Sequence, residues 1–254
     1  MNKRSEAQVS YGNWMSKNII YVTALVTIFF LCLIALSIYF IIPGVFFLLI
    51  TAFFIYSYYQ FSLSGGKIQQ KVWEMAGSYL KWEGKGIILD IGCGNGALAI
   101  KTAKKYREAK VTGIDFWESK WGYSQEACEN NARIEGVSDR TTFLHASASS
   151  LPFEDNYFDA AISNFVFHEV ADAKDKRDVI KEALRVVKKD GVFAFHDLFR
   201  LKKLYGEMDD LLDTIRSWGI KEVHFADTSD ADFIPALLKL PFMLGTAGII
   251  YGRK

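Results

Sequence analysis

From Asn18 to Gly66 the chain carries no charged residue, and this constrains the fold more than any other feature of the 254-residue sequence. Within the run, Ile19 to Ile42 is apolar almost throughout, Pro43-Gly44 interrupts, and an apolar stretch resumes from Val45 to Phe61. A helix over the first segment would be about 36 Å long, more than the roughly 30 Å of a bilayer's hydrocarbon core. A charge at mid-helix would oppose insertion by about 3 kcal/mol, and none is present. The second segment ends in Tyr56-Ser57-Tyr58-Tyr59, a cluster suited to the headgroup level. Proline cannot continue a helix and glycine accepts the dihedrals of a reversal, so the pattern predicts a two-helix transmembrane hairpin. Its spans are about 19–42 and 45–63, turning at Pro43-Gly44. A cleaved leader would have a shorter apolar core and a small-residue cleavage site, neither of which fits. Lys3, Arg4 and Lys17 precede the hairpin, Lys67 and Lys71 follow it, and none lies in the turn. Both ends are therefore expected in the cytoplasm, on a multi-pass protein of the cell membrane.

The hairpin divides the chain into an N-terminal segment 1–18, the spans within 19–63, and a domain over 64–254. That domain alternates in period. Ile68, Val72, Met75 and Tyr79 fall at helical spacing, Gly86 to Ile91 reads as a strand, and "ALAIKTAKKY" as a helix. Further strands are expected at Ala109 to Asp115, Thr141 to Ser147, Phe158 to Asn164, in "VFAFHDL" after the turn Lys189-Asp190-Gly191, in "KEVHFAD", and at the C-terminus in "AGIIYGRK". Helices are expected at Ser119 to Ile134, Asp175 to Lys189, and around Leu211 to Trp218. Alternating strands and helices imply an α/β domain with a doubly wound, mainly parallel sheet. A formal charge of +1 gives no global field for nucleic acid. Cys32, Cys93 and Cys128 have no metal-ligand spacing and make no even framework, so a reducing compartment is expected and no metal.

In such a sheet, ligands bind beyond the carboxyl ends of the strands where the winding reverses. There the sequence reads Asp90-Ile91-Gly92-Cys93-Gly94-Asn95-Gly96, with Gly92, Gly94 and Gly96 at alternate positions. Glycine permits both a tight turn and close approach of a ligand to the main chain. Counting Ala97, the run even satisfies the dinucleotide fingerprint G-x-G-x-x-G/A, and Asp115 ends the next strand where a carboxylate can hold ribose hydroxyls. These residues alone leave a nicotinamide and a sulfonium cofactor both open.

"LDIGCGNG", "GID", "LPFEDNYFDAAIS" and "EALRVVKKDGVF", in this order, resemble the class I S-adenosylmethionine-dependent methyltransferases, in particular the small-molecule and lipid group called type 11. The similarity runs from about Val72 to Gly252. It implies a seven-stranded Rossmann-like sheet with its last strand antiparallel, and S-adenosyl-L-methionine as cofactor. By the same resemblance Asp90, Gly92, Gly94 and Gly96 hold the methionine part and the ribose edge. Asp115 binds the ribose hydroxyls and Phe116 lies against the adenine. Ser147-Ala148 corresponds to the loop where the family often has an acid reaching the adenine amine; here it is Ser147. Asn164 matches the position nearest the reacting methyl group. An adenine-specific "NPPY"-type motif is absent, which argues against a nucleic-acid acceptor.

Methyl transfer from a sulfonium is an in-line displacement, so the protein chiefly aligns the acceptor and excludes water, and it needs a base only if the acceptor must lose a proton. His168 and Glu169 in "SNFVFHEV", and His196 and Asp197 after the fifth strand, are the candidates, with His168 and Asp197 the expected catalytic residues beside Asn164. Trp117 and Trp121 either line a pocket or cap the core. "FIPALLKLPFML" (Phe233 to Leu244) is too short and broken to span a bilayer, and either lies at its surface or packs in the core. The expected function is a membrane-anchored methyltransferase with a lipid-like or membrane-presented acceptor. A soluble small-molecule acceptor, or a non-catalytic cofactor-binding scaffold, is the alternative.

Overall fold

A computed structural model describes residues 8–118 and 122–254. The chain divides into two compact units, one of Asn13–Val72 and one that joins the N-terminal segment through Gly12 to Trp73–Lys254.

In the first unit, α1 (Lys17–Leu33) opens on Ser16, whose hydroxyl accepts from the Asn18 N–H at 3.2 Å. It packs against α2 (Ile41–Phe61). The two share a Thr27–Thr51 hydroxyl contact of 3.1 Å and a stacked Phe30–Phe47 pair, rings 5.4 Å apart. The reversal is not at Pro43-Gly44. The α1 helix ends at Leu33, residues 34–37 turn, and a 3₁₀ turn, Ile38–Phe40, leads into α2. Pro43 sits in the first turn of α2, where its missing N–H is one that the helix leaves unpaired anyway. Gly44 is buried against the facing helix, where a Cβ would stand in ordinary contact at 3.4 Å from Leu31 Cδ2. The helix expected over 19–42 is therefore 17 residues long, about 25 Å, short of a hydrocarbon core. Among the described residues, one helical stretch, Ile38–Phe61, is long and apolar enough to cross a membrane.

The boundary between the units falls within α3 (Ile68–Tyr79). The second unit is built on seven strands: β1 (Gly86–Ile91), β2 (Ala109–Asp115), β3 (Thr141–His145), β4 (Phe158–Asn164), β5 (Val187–Asp197), β6 (Glu222–Asp227) and β7 (Gly248–Arg253). Their order is β3-β2-β1-β4-β5-β7-β6, with β7 antiparallel to both neighbours and the other observed pairs parallel. The connecting helices are α4 (Ala97–Lys105), α5 (Gln125–Ile134), α6 (Lys176–Arg185), α7 (Lys202–Tyr205) and α8 (Met208–Ser217). Leu89, Ile91, Phe158, Ala161, Phe193 and Phe195 from the central strands pack with Val179, Ile180, Leu211 and Ile215 from the helices. Burial on both faces is why β1 and β4 read as continuous apolar runs in the sequence.

Several boundaries differ from expectation, among them α6, which ends at Arg185 and not Lys189. α5 starts at Gln125, capped by the Ser124 hydroxyl, rather than at Ser119, and Trp121 lies outside the described residues. β3 stops at His145, two residues before Ser147. β5 begins at Val187, so Lys189-Asp190-Gly191 is an irregularity inside the strand, with Asp190 at φ +62° and its N–H held by the Lys254 carbonyl at 2.8 Å. The winding reverses between β1 and β4. Their carboxyl ends carry the glycine turn and Asn164, with Asp115 and Asp197 at the ends of β2 and β5.

Candidate cofactor and acceptor site

The glycine turn is a bare-backbone cradle. Gly92, Gly94 and Gly96 all have positive φ, +73°, +57° and +81°. The Gly92 and Cys93 N–H groups both donate to the Ile114 carbonyl at the end of β2, at 2.8 and 2.9 Å, which ties the turn to the neighbouring strand. Just before it, Asp90 is buried, and its Oδ2 has no hydrogen-bond partner among the described residues. Burial pushes its pKa up to about 7 against the Ala99 backbone N–H, and the Asp115 charge adds to the rise. A buried carboxylate with an unused oxygen beside exposed main chain suits a ligand that brings a positive charge, and the methionyl ammonium of S-adenosylmethionine is such a group.

Asp115 accepts the Gly94 N–H on Oδ2 at 2.9 Å and the Trp117 N–H on Oδ1 at 2.7 Å. Its pKa is raised, by burial first, with those two N–H groups opposing. Each oxygen keeps a second lone pair for ribose hydroxyls. Trp117 is half-buried, and its indole N–H donates to the Gly94 carbonyl at 2.8 Å, pinning the turn. Phe116 is 53% exposed beside Asp115, and its ring lies 4.9 Å from that of His145, which no motif marks. Ala148 is buried. The Ser147 and Ser149 hydroxyls both donate to Asp172 Oδ2, at 2.9 and 2.6 Å. The carboxylate missing from the loop after β3 thus arrives from the loop after β4. The Ser149 bond comes first among the causes that hold Asp172 below the usual carboxylate range.

On the other side of the turn, β5 brings Asp197 under the loop after β4. Asp197 is buried and accepts from the His168 ring at Nδ1 (2.7 Å), from the Leu198 N–H (2.6 Å), and from the Val166 and His168 N–H groups (3.1 and 3.3 Å). Burial works against its charge, but the His168 imidazole and these donors hold its pKa below the ordinary value. His168 shows the mirror image: burial disfavours its cation, yet the Asp197 charge and hydrogen bond leave its pKa raised, with Glu169 at 3.6 Å from Nε2 assisting. The buried Tyr205 hydroxyl stands in the same field. The sequence-expected pair His168 and Asp197 therefore meets.

Asn164 and His196 meet as well. The His196 Nδ1 is 3.0 Å from Asn164 Oδ1, and its Nε2 is 2.9 Å from Thr228 Oγ1. Burial pushes the His196 pKa down to about 3, so it is a neutral spacer between β4 and the chain after β6. That chain returns to β7 through Phe233 to Leu244, of which Ile234, Leu238 and Leu244 are buried while Leu237 and Phe242 are 59% and 69% exposed. Asp227 and Asp197 both pair in register with Gly248, so this excursion leaves and rejoins the sheet at the face that carries His168 and Asp197. Among the described residues no cluster of His, Cys, Asp and Glu could hold a metal ion.

Residues 89–195 match the family model of a methyltransferase domain, type 11. An O-methyltransferase of Aspergillus nomiae is 27% identical over 59% of this chain and 70% of its own length. The 2-phytyl-1,4-naphtoquinone methyltransferase of Trichormus variabilis is 29% identical over 50% of this chain and 55% of its own, so the chain spans about half of that enzyme. Among solved structures a [4+2]-cyclase, SpnF, is similar in fold, with a TM-score of 0.54 over 74% of this chain and 81% of that one at 20% identity. The matched domain, the doubly wound sheet with its antiparallel β7, and the cradle at β1 make the second unit a class I methyltransferase domain. It is S-adenosylmethionine-dependent, and S-adenosylmethionine is the cofactor that Asp90, the glycine turn and Asp115 fit.

Proposed function

We propose that the protein is a membrane-anchored methyltransferase acting on a lipid-soluble or membrane-presented acceptor whose reacting atom must lose a proton, such as the hydroxyl of a prenylated phenol or quinol. The observation that carries this reading is the Ile38–Phe61 helix, long and apolar enough to span a bilayer, in the same chain as the cofactor domain. The linker from α2 to α3 is only Ser62 to Lys67. So short a tether favours an acceptor that is itself held at the interface. Leu237 and Phe242, exposed on the excursion between β6 and β7, suit a lipid-side approach. The activity of the Trichormus variabilis relative on a phytyl naphthoquinone supports the same class of acceptor. Lys67 and Lys71, which follow the Ile38–Phe61 helix, support placing the cofactor domain on the cytoplasmic side.

In this mechanism the cofactor supplies an activated methyl group, and the chain's residues do the rest. Asp90, Gly92, Gly94, Gly96, Asp115 and Phe116 hold and orient it, and Asp172 through Ser147 presents a carboxylate to the loop at its adenine end. Asp197 fixes the His168 ring by Nδ1, which leaves Nε2 to take the acceptor's proton. With full-length protein in vesicles of a membrane lipid extract and radiolabelled S-adenosylmethionine, label is expected in the organic phase. Label confined to water-soluble products would overturn the lipid acceptor.

The base must be neutral to act, so activity rises with pH through the raised His168 pKa, and the acidic limb lies above that of an ordinary imidazole. Asp197→Asn removes the charge responsible and is expected to move that limb to lower pH and to lower kcat. The pair also sets a stability window. His168, with a raised folded pKa, stabilises below its unfolded pKa and loses this as pH rises through the folded value. Asp197, with a depressed one, stabilises above its unfolded pKa and loses this as pH falls through the folded value. A pH–rate profile whose acidic limb is unmoved in Asp197→Asn would remove His168 from the base role.

A further inference from the structure

The segment ahead of the apolar unit belongs to the catalytic unit, and its contacts converge on the cofactor turn. Asn131, buried on α5, holds both ends of one peptide neighbourhood: its Oδ1 accepts the Ser10 N–H at 2.9 Å and its Nδ2 donates to the Ser10 carbonyl at 3.0 Å. The same Nδ2 donates to the Asn95 carbonyl at 3.0 Å, inside the glycine turn. Asn95 reaches back, its Nδ2 donating to the Ser10 carbonyl at 3.1 Å while its Oδ1 accepts the Ser124 N–H at 3.1 Å. Next in the chain, Tyr11 is buried, with its hydroxyl donating to Glu135 at 3.3 Å and its ring edge-on to Trp73 at 5.8 Å. Gly12, at φ +74°, lies against Tyr123 so closely that an added Cβ would stand 2.5 Å from Cε1. The opposite edge of that ring faces Gly94, where a Cβ would stand 3.4 Å from Cδ2. Tyr123 is thus held between Gly12 and the cofactor turn.

We infer that Ser10–Gly12 is a latch on the cofactor cradle, with Asn131 as its positioning residue. The latch, Asn95 and Tyr123 wall the glycine turn, and cofactor leaves only when Ser10 and Gly12 come away. Asn13, the next residue, opens the apolar unit, so the chain secures the cofactor turn immediately before it enters the stretch read above as membrane-bound. None of these contacts reaches a strand of the sheet, which is why the latch can open while the domain stays folded.

Two variants of the full chain in detergent test this, with S-adenosylhomocysteine as the probe. Ser10→Pro removes the N–H that Asn131 accepts, and Gly12→Leu forces Tyr123 off the turn. Each is expected to raise the Kd about tenfold or more, the range for losing a buried hydrogen bond or a packed contact, through faster dissociation. At saturating cofactor kcat and the acceptor KM should stay within about twofold, and the melting temperature of the ligand-free protein should hold, which a merely structural role would not allow. Hydrogen exchange at the backbone amides of residues 9–12 should slow when S-adenosylhomocysteine binds. Unchanged Kd with exchange indifferent to the ligand would overturn the latch, as would a fall in kcat and melting temperature in step with affinity. The inference rests on the cofactor site and not on the acceptor. A failure to label lipid would leave it standing, and its own failure would leave the acceptor reading untouched.

Discussion

Asp90→Asn is expected to abolish S-adenosylmethionine binding and yet to raise the melting temperature of the ligand-free protein at pH 8. In the native state this buried carboxyl has its pKa pushed up to about 7, from an ordinary value of 3.8. The unfolded chain therefore ionises near pH 4 while the folded chain holds its proton, and stability falls as pH rises between those values and stays lower above them. Roughly three pKa units correspond to about 4 kcal/mol. Asparagine never ionises and avoids this loss, though its amide leaves a buried donor unpaired at a cost of about 1–3 kcal/mol. A net gain of about 1–3 kcal/mol would appear as a rise of several degrees in a domain of this size. The gain should shrink toward pH 4, where Asp90 is neutral in both states. The same carboxylate, once opposite the methionyl ammonium, is stabilised by it, so the strain of the free protein is the affinity of the loaded one. An asparagine variant that binds as well as the parent, or that melts below it at pH 8, would contradict this account.

How much of this was legible in the sequence depended on how local the cause was. β1 and β4 begin and end where the apolar runs do, because each is buried on both faces, while β2 shows in the alternation of Ala109, Val111 and Gly113 with the less buried Lys110 and Thr112. The glycine turn and Asp115 were visible because a main-chain cradle leaves a trace in a few adjacent residues. Pro43-Gly44 misled for the complementary reason. The dipeptide signals a turn, yet proline is also tolerated in a first helical turn, and the contact of Gly44 with Leu31 depends on a partner helix. The residues missed altogether are those whose partners are distant. Asp172 sits among charges that read as a solvated loop, and only the fold brings it to Ser147 and Ser149, more than twenty residues away. Asn131 lies in a polar run on α5, and nothing there announces Ser10, which is 121 residues distant.

The reaction, too, is a matter of the site and not of the sheet. The similar fold of a [4+2]-cyclase shows that this scaffold is not restricted to methyl transfer. What singles out this chain's chemistry is the conjunction of an orphaned buried carboxylate, a bare glycine turn and an imidazole held by Asp197. The carboxylate and the glycine turn stand at the end of β1 and the imidazole in the loop after β4, and the two regions meet where Gly92 lies against Val166.

Gly92→Ala tests that point, and is expected to lower cofactor affinity and kcat together by about 100-fold or more. Gly92 has φ +73°, which costs a side-chain-bearing residue roughly 1–2 kcal/mol. A Cβ there would also stand 2.1 and 2.5 Å from the two γ-methyls of Val166, closer than real Cβ atoms come. Val166 cannot simply retreat. Its N–H is bonded to Asp197, and the next residue, Phe167, is fully buried against Phe195. The clash must therefore be relieved by moving the glycine turn, the His168 loop, or both. Strain and clash are separable, because Gly136 has a similar φ of +70° with nothing within 4 Å of its would-be Cβ. Gly136→Ala should lose about 1–2 kcal/mol of stability and keep its cofactor affinity and kcat. The double variant Gly92→Ala with Val166→Ala, which deletes the two nearest methyls, should recover a large part of both. If Gly92→Ala behaves like Gly136→Ala, with affinity and turnover intact, the turn and the His168 loop do not constrain each other as their packing implies.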